Sequence, residues 1–458
     1  MKTSSAATMP ADKRKLWETG SNLDPLVERY TVGDDPVHDL RLLPYEVYGS
    51  LAHAAGLVKI GVLTKAEFAA VRVELATYLE DSAFRIAREQ EDVHTAVEQR
   101  LTAKLGEVGS KVHAGRSRND QVQMCLRLYL KDRLLKVHTL AVVAAKAWSD
   151  FGRAHSETLV PGYTHLQRAM PTTLGHWAAS HAEALVENAR LLRAAYVEAD
   201  ACPLGSAAGY GANLPLRRAY VAKVAGFGRV QRNTLRVQTS RPRLEAVVLS
   251  ALTVLARDLG VLAEDLCLYA TAEFGYIKLP DSFTTGSSIM PQKRNPDVVE
   301  LTRARAALFP GWLAQSLALG ARSSGYHRDY QLGKGPLFAA LGTAEDMLEM
   351  LTRLPGGLAV RADRCRAAVT EDTLATAKAL ALVKKGMPFR EAYRRVADAA
   401  RQADPKPAAS VELPDYEGAP GNPGFDALDR DRKAATLWGR GERAHLSSTW
   451  AELLTLKP

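Results

Sequence analysis

Long stretches without glycine or proline dominate the middle of this 458-residue sequence. The longest extends from Arg116 to Phe151, 36 residues that include neither residue type. A helix over this stretch would be about 54 Å long, because each residue adds about 1.5 Å. Leu126, Leu130 and Leu134 follow at helical spacing and predict one apolar face along it. The sequence therefore predicts helices much longer than those of most globular proteins.

Further stretches of the same kind follow along the chain. They are His176 to Cys202, Arg243 to Phe274 with Gly260 as its only break, a segment after Asp297 and a segment after Pro336. Few alternating apolar and polar patterns compete with these helices. We predict an all-α protein whose centre is a bundle of long helices.

The two ends of the chain differ from the centre and suggest three domains. We predict an N-terminal helical domain over residues 1–115, a long-helix bundle over 116–364 and a small helical domain over 365–458. In the last of these, a helix such as FREAYRRVADAARQ precedes a loop rich in proline and glycine at 404–424, and a short tail helix follows.

Composition limits the partners and the compartment. The net charge is +9, but the basic residues are scattered, without a block of like charges or an RNA-binding motif, which argues against nucleic acid. The four cysteines are far apart and form no CxxC pair, which argues against disulfides or zinc and fits a reducing compartment. The first twenty residues lack the apolar core of a secretory signal, and no apolar run approaches membrane length. We therefore expect a cytoplasmic protein with no membrane partner.

Two polar segments flank the ends of the first long helix. In KVHAGRSRNDQV, Ser117 and Asp120 have capping-box spacing, and the free N–H groups of the helix start attract anions, as do Arg116 and Arg118. The alternative is a well-capped helix with solvated arginines. In LVPGYTHLQRAMP, His165 lies among small polar residues and suits proton transfer, although an isolated histidine is more often a packed or surface residue.

Three other loops complete the polar set. TTGSSIMPQKRNPD offers hydroxyls and the Lys293 cation without the glycine spacing of a Walker loop, and it suits a lid that closes over an anion and presents a serine. Glu300 follows it near a helix start, where it can hold a histidine's second nitrogen. SSGYHRDYQLGKG mixes aromatic, basic and amide side chains. CPLGSAAGYG follows a helix rather than a strand, so we interpret it as a tight turn and not a dinucleotide site.

These motifs resemble a known superfamily. GSSIMPQKRNP fits the G-S-x-x-M-x-x-K-x-N signature of the fumarase/aspartase lyases. Within that superfamily, HAGRSRNDQV, PGYTHLQRAMP and EDVH resemble the argininosuccinate lyase family, as do VGDDPVHDLRLLPYEVYGSLAHAAGL and KKGMPFREAY. The resemblance extends from about residue 25 to about residue 400, nearly the whole chain.

The resemblance implies a fold, an assembly and a reaction. Its members have three mostly helical domains and form homotetramers around a core of twenty helices, with each active site assembled from loops of three subunits. They catalyse the reversible elimination of fumarate from argininosuccinate, which yields arginine in the last step of arginine biosynthesis. They use no cofactor and no metal. The small-molecule substrate is then the main ligand expected for this chain.

The resemblance also assigns roles by position. Ser287 matches the base that removes the Cβ proton, and Lys293 matches the lysine that stabilises the dianionic intermediate. His165 matches the proton donor or its orienter, and Glu300 its carboxylate partner. Ten further positions match substrate-binding residues, the last two less firmly: Ser117, Arg118, Asn119, Thr164, Asn295, Tyr326, Gln331, Lys334, Asp92 and His94.

Two single positions depart from the family pattern, and PLGSAAGYG differs from the commoner small-residue version. Pro242 stands in TSRPRLE where many members have arginine, so that Arg241 or Arg243 would have to substitute. Asp35 stands where many have serine. Both stretches are expected to face the amino-acid end of the substrate. Two alternatives therefore stay open, namely a paralogue that releases fumarate from another N-succinyl compound and a non-catalytic, crystallin-like structural protein.

Overall fold

A computed structural model describes residues 24–400 and 406–458 of the chain. The expectation that there is no secretory signal concerns the first twenty residues and lies outside this range, as does part of the loop predicted at 404–424. The helices in the described residues are α1 Pro25–Val32, α2 Asp35–Asp39, α3 Leu43–Val58, α4 Lys65–Thr77, α5 Val93–Leu105, α6 Glu107–Lys111, α7 Arg118–Ala154, α8 Leu174–Ala199, α9 Arg218–Ala225, α10 Thr234–Thr239, α11 Arg241–Tyr269, α12 Asp297–Ala306, α13 Phe309–Leu319, α14 Lys334–Arg353, α15 Ala362–Ala367, α16 Ala375–Lys384, α17 Phe389–Ala400 and α18 Phe425–Thr455.

The predicted all-α fold and its long helices are confirmed. Helix α7 has 37 residues, and it begins at a capping box made by Ser117 and Asp120, as its sequence indicated. Helices α8 and α11 have 26 and 29 residues. The segment after Asp297 is divided into α12 and α13, because Pro310 lies in the first turn of α13, where proline is tolerated but cannot continue a preceding helix.

Four long helices form the centre of the core. Helix α7 packs against α8 and α14, and α11 packs against α8, α12, α13 and α14. Trp148 on α7 is fully buried, and its Nε1 donates to the Leu351 carbonyl on α14 at 3.1 Å. Its ring meets those of Phe151 and Trp177 edge to face, so aromatic side chains join α7 to α8.

The strands are short and form four two-stranded sheets. They are β1 Leu159–Thr164, β2 Gln167–Thr173, β3 Ala201–Cys202, β4 Arg229–Val230, β5 Ile277–Lys278, β6 Thr285–Gly286, β7 Arg294–Asn295 and β8 Ala359–Val360. β1 pairs with β2, β5 with β8 and β6 with β7 in antiparallel fashion, whereas β3 and β4 are parallel.

The prediction of a short tail helix is wrong. Helix α18 has 31 residues and packs along α7 and α8. Gly439 and Gly441 lie inside it, and each weakens the helix by about 1 kcal/mol relative to alanine. Burial of Leu446 and Leu453 offsets this loss. Gly439 also lies so close to α7 that a Cβ there would be 2.9 Å from Nδ1 of His138.

Helix α11 is unusually apolar. Among the described helices, it alone is long and apolar enough to cross a bilayer by length and composition. The sequence analysis missed this property because polar residues interrupt the apolar ones along the helix. Its buried residues pack against four neighbouring helices, as those of a core helix do. Val254 and Val261, by contrast, are exposed on the surface of this single chain.

Candidate active site

A cavity of about 170 Å³ brings together seven of the residues proposed to bind substrate. It lies where α2, the starts of α5, α7 and α11, and the segment before α14 meet. The seven are Asp92, His94, Arg118, Asn119, Tyr326, Gln331 and Lys334. They come from three separate stretches of sequence. Their convergence supports the predicted grouping, although their individual roles stay predictions.

Asp92 and Arg118 form the wall at the starts of α5 and α7. Asp92 caps α5, with one carboxylate oxygen 2.9 Å from the Thr95 N–H. Its other oxygen accepts from Nε of Arg118 at 2.8 Å, and the same guanidinium reaches Glu91 at 3.0 Å. Burial alone would raise the pKa of Asp92, but the charges of His94 and Arg118 outweigh it and lower that pKa. The Asp92 carboxylate is therefore ionised and holds Arg118 in place.

His94 is oriented by a residue that the sequence analysis missed. Nδ1 of His94 lies 2.6 Å from Oε2 of Glu46, and both side chains are buried. Nε2 of His94, on the cavity wall, has no hydrogen-bond partner among the described residues. The one signal for Glu46 was the single carboxylate in the mostly apolar segment LPYEVYGSLAHAAG of α3.

Glu46, His94 and Cys125 also lie close enough to hold a metal ion. However, Glu46 already accepts hydrogen bonds from His94, from the Cys125 thiol at 3.1 Å and from Ser50 at 2.7 Å. Burial raises the pKa of the Cys125 thiol well above its usual range, which disfavours the thiolate that metals require. The arrangement therefore fits a hydrogen-bonded network better than a metal site.

Lys334 is held by two carboxylates at the opposite wall. Its Nζ lies 2.7 Å from Asp39 and 2.8 Å from Asp35, and the lysine side chain is 3% exposed. Burial raises the pKa of Asp35 to about 6 despite the nearby ammonium group. Gln331 is fixed beside it, because its Nε2 donates to the Thr31 and Val32 carbonyls, each at 3.0 Å.

The Ser117 hydroxyl caps α7 rather than lining the cavity. It accepts from the Asn119 N–H at 3.3 Å, and the Ser117 N–H donates to Asp120 at 2.9 Å. The second oxygen of Asp120 accepts from the N–H groups of Gly205 and Ala207, at 3.0 and 2.8 Å. Asp120 thereby fixes the CPLGSAAGYG segment against the helix start. The tight turn predicted there is confirmed, with Gly205 at a φ of 86°.

Thr164 and His165 lie at the tip of a β-hairpin rather than in the loop that the sequence predicts. Prolines at 161 and 171 disfavour strands, but here they face each other across a two-stranded ribbon. His165 and Leu166 form the turn with φ of 55° and 59°, values uncommon for residues other than glycine. Both turn residues are exposed. The hairpin therefore presents the histidine away from the body of the chain.

Ser287 and Lys293 lie in a second projecting segment, closed at its base by β6 and β7. Thr285 in β6 donates to the Asp297 carboxylate at the start of α12. Oγ of Ser287 accepts from the N–H groups of Ile289 at 3.3 Å and Met290 at 3.1 Å. Lys293 is exposed, and Asn295 is half-buried.

The structure thus divides the candidate residues into two groups. Among the described residues, the cavity wall includes none of those on the hairpin, on the projecting segment or at the start of α12: Thr164, His165, Ser287, Lys293, Asn295 and Glu300. Glu300 is exposed in the first turn of α12, and its pairing with His165 stays a prediction. In the described part of a single chain, the candidate residues are therefore not assembled into one site.

Comparison with known protein families agrees with the fold and the motifs. A family model described as lyase matches residues 21–311, and one described as argininosuccinate lyase C-terminal matches residues 372–427. Among solved structures, an EDDS lyase in complex with formate aligns with a TM-score of 0.75 at 25% identity, over 95% of this chain and 94% of the other. A class II fumarase from Schistosoma mansoni shares the fold, with a TM-score of 0.69 at 15% identity over 82% and 88% of the two chains. The protein is a lyase of the fumarase/aspartase superfamily.

Curated relatives narrow this class. An argininosuccinate lyase from Sorangium cellulosum (strain So ce56) is 46% identical over 426 residues, 92% of this chain and 99% of the relative. One from Thermotoga neapolitana is 39% identical over 388 residues, 84% of this chain and 98% of the relative. The chain belongs to the argininosuccinate lyase family and is an enzyme that acts on a carbon–nitrogen bond.

Proposed function

We infer that the protein catalyses the reversible elimination of fumarate from argininosuccinate, releasing arginine. The observation that carries this inference is the convergence of seven candidate binding residues on one polar cavity, in a chain that is 46% identical to an argininosuccinate lyase. In the reaction, a base removes a Cβ proton from the succinyl group. The electrons of that C–H bond form the double bond of fumarate, the carbon–nitrogen bond breaks, and the departing guanidino nitrogen takes a proton.

Ser287 is the proposed base. A serine hydroxyl is a weak base unless its surroundings favour the deprotonated form. Two backbone N–H groups already point at Oγ of Ser287, and hydrogen bonds of this kind stabilise negative charge on the oxygen. Lys293 in the same segment supplies a cation to stabilise the dianionic intermediate.

His165 is the proposed donor to the departing nitrogen, or the residue that orients the donor. It lies on the exposed hairpin turn, and Glu300 lies on the exposed first turn of α12. Contact between these two side chains would fix the orientation of the imidazole ring and leave its second nitrogen to pass a proton to the departing nitrogen. This pairing requires residues that a single chain leaves apart, so it depends on assembly.

We further propose a homotetramer with active sites shared between subunits. Two observations support it. The cavity and the projecting segments lie apart in one chain, and the central helices and those packed on them leave apolar side chains exposed. The latter include Leu191 on α8, Val254 and Val261 on α11, Leu301 on α12 and Leu317 on α13. Burial of such surface between copies would stabilise an oligomer by about 25 cal/mol for each Å² of apolar area.

We place the enzyme in the cytoplasm. The support is chemical: all four cysteines are free thiols, and three of them are buried. Proteins of oxidising compartments more often use cysteines in disulfides. Fractionation of the source cells with an antibody to this chain tests the assignment, and recovery in a membrane or extracellular fraction would contradict it.

The activity is tested with purified protein and argininosuccinate. Fumarate is followed by ultraviolet absorbance and arginine by chromatography, and the proposal predicts equal amounts of both. The same assay with other N-succinyl amino acids tests the paralogue alternative. Fumarate release from one of those compounds, with none from argininosuccinate, would reject the proposed substrate while retaining the reaction class.

A further inference from the structure

The two positions that depart from the family pattern, Asp35 and the segment around Pro242, lie on the wall of the same cavity. Asp35 belongs to α2, and Arg241 is the first residue of α11. Arg243, the other candidate to replace the missing arginine, points outward and pairs with Glu198 at 3.1 Å. Of these two arginines, Arg241 is therefore the one that lies on the cavity wall.

The Arg241 guanidinium is only partly satisfied. Its side chain is 3% exposed, and its Nε lies 3.3 Å from Glu245, a turn further along α11. Its Nη2 has no acceptor among the described residues. A buried charged donor without an acceptor is costly, by at least about 1–3 kcal/mol. A ligand carboxylate in the cavity would supply the acceptor that the chain does not.

Asp35, by contrast, carries a negative charge that its neighbours do not fully balance. Asp35 and Asp39 share the single ammonium group of Lys334, so two negative charges face one positive charge. Both carboxylates lie on the cavity wall, but the Asp39 side chain is fully buried whereas that of Asp35 is 15% exposed, so Asp35 is the more accessible of the two. The elevated pKa of Asp35, which burial causes, agrees with a carboxylate that its neighbours compensate incompletely.

The charge of the whole cavity fits a ligand group without net charge. Its wall carries four carboxylates and four permanent cations, and the charge of His94 on that wall is offset by its buried partner Glu46. A dicarboxylate such as the succinyl end of the substrate would favour an excess of cations. A zwitterion, with one ammonium and one carboxylate group, suits a balanced wall that offers a spare acceptor and a spare donor.

We propose that Asp35 and Arg241 form a clamp for the α-amino-acid end of the substrate, Asp35 accepting from its α-ammonium group and Arg241 donating to its α-carboxylate. The clamp builds on the proposed function, because argininosuccinate carries such an end on its leaving group. It makes Asp35 and Arg241 determinants of which N-succinyl compound the enzyme accepts.

The test measures binding of three probes by titration calorimetry, independently of turnover. Arginine carries both groups, Nα-acetylarginine lacks the ammonium group, and agmatine lacks the carboxylate. In the wild-type protein, arginine should bind at least about tenfold more tightly than either analogue, the size expected for one charged hydrogen bond. Asp35→Asn should abolish the preference over Nα-acetylarginine, and Arg241→Met should abolish the preference over agmatine.

Matched variants control for charge and folding. Asp34→Asn and Arg243→Met remove neighbouring charges that point away from the cavity, and both preferences should persist in them. Because Arg241→Met leaves Glu245 buried without its partner, the double variant with Glu245→Gln is measured as well. If neither form folds, the Asp35→Asn result alone decides.

The possible outcomes separate the clamp from the proposed function. Unchanged preferences in Asp35→Asn would overturn the clamp, as would an equal loss of affinity for all three probes. Equal binding of all three probes by the wild-type protein would also overturn it. If selective binding is observed but argininosuccinate is not cleaved, the clamp stands and the proposed reaction fails.

Discussion

Nδ1 of His94 lies 2.6 Å from Oε2 of Glu46, and each of these side chains is 2% exposed. Burial opposes the charge on both groups, but their mutual attraction outweighs it. As a result, the pKa of His94 is raised above its usual 6.5, and the pKa of Glu46 is lowered to about 2 from 4.5. His94, which lies on the cavity wall, is therefore held in place by a buried ion pair with Glu46.

Replacement of Glu46 by glutamine should destabilise the fold most at mildly acidic pH. The raised pKa of His94 contributes stability that is fully present below pH 6.5 and is lost as the pH rises through the pKa of His94 in the folded protein. The lowered pKa of Glu46 contributes stability that is present above 4.5 and is lost as pH falls towards 2. Between pH 4.5 and 6.5, we expect Glu46→Gln to lower the free energy of unfolding by about 3–5 kcal/mol, because this is the cost of breaking a buried ion pair.

Urea denaturation of wild type and Glu46→Gln at pH 5.5 and pH 9 measures this difference. The gap between the two proteins should narrow at the higher pH. As a surface control, Asp150→Asn removes the partner of the exposed Lys146 and should change stability by less than about 1 kcal/mol at either pH. A gap that is independent of pH would show that the pair does not titrate as described.

The two glycines within α18 should respond oppositely to alanine. At Gly439 an added Cβ would be 2.9 Å from Nδ1 of His138, so Gly439→Ala should destabilise the protein by about 1–3 kcal/mol. At Gly441 nothing lies within 4 Å of the added atom, so Gly441→Ala should stabilise it by about 0.5–1 kcal/mol through helix propensity. Thermal melting of both variants tests the position of α18 on α7, and the same sign for both would argue against it.

Ser287→Ala should lower turnover by orders of magnitude while largely preserving substrate binding. The substitution removes the oxygen that the two backbone N–H groups would stabilise as an oxyanion. Steady-state fumarate release gives kcat, and calorimetry with argininosuccinate gives affinity. The exposed Ser282, just before the projecting segment, provides the control, because Ser282→Ala should retain normal turnover. Wild-type kcat in Ser287→Ala would exclude that residue as the base.

Rules that use only neighbouring residues predicted the helices whose limits are set by neighbouring residues. Long stretches with little or no glycine and proline located α7, α8 and α11, and the spacing of Ser117 and Asp120 located the start of α7. The same rules failed for α18, where tertiary burial outweighs two glycines, and for the β1–β2 hairpin, where two prolines face each other across the ribbon.

The site was predictable only in part, for a physical reason. Motif residues such as Arg118 and Lys334 could be named from their loops, but their partners could not. Glu46 lies 48 residues from His94, and Asp39 lies 295 residues from Lys334, so these pairs exist only after folding. The choice of Arg241 over Arg243 likewise depends on which face of α11 meets the cavity.

Mixing of inactive variants tests most directly whether the cavity of one chain works with the projecting segments of another. Asn119→Ala alters the cavity wall, and Ser287→Ala alters a projecting segment. Each variant alone should be nearly inactive. After the two are dissociated, mixed in equal amounts and reassembled, random combination leaves about a quarter of the shared sites free of both changes.

The measurement is fumarate release from argininosuccinate by the reassembled mixture, with mixed assemblies verified by native mass spectrometry. The shared-site account predicts recovery of about a quarter of wild-type activity, since some sites draw both parts from unaltered surfaces. Mixed assemblies that stay inactive would contradict it, because they would show that the cavity and Ser287 of each site belong to the same chain.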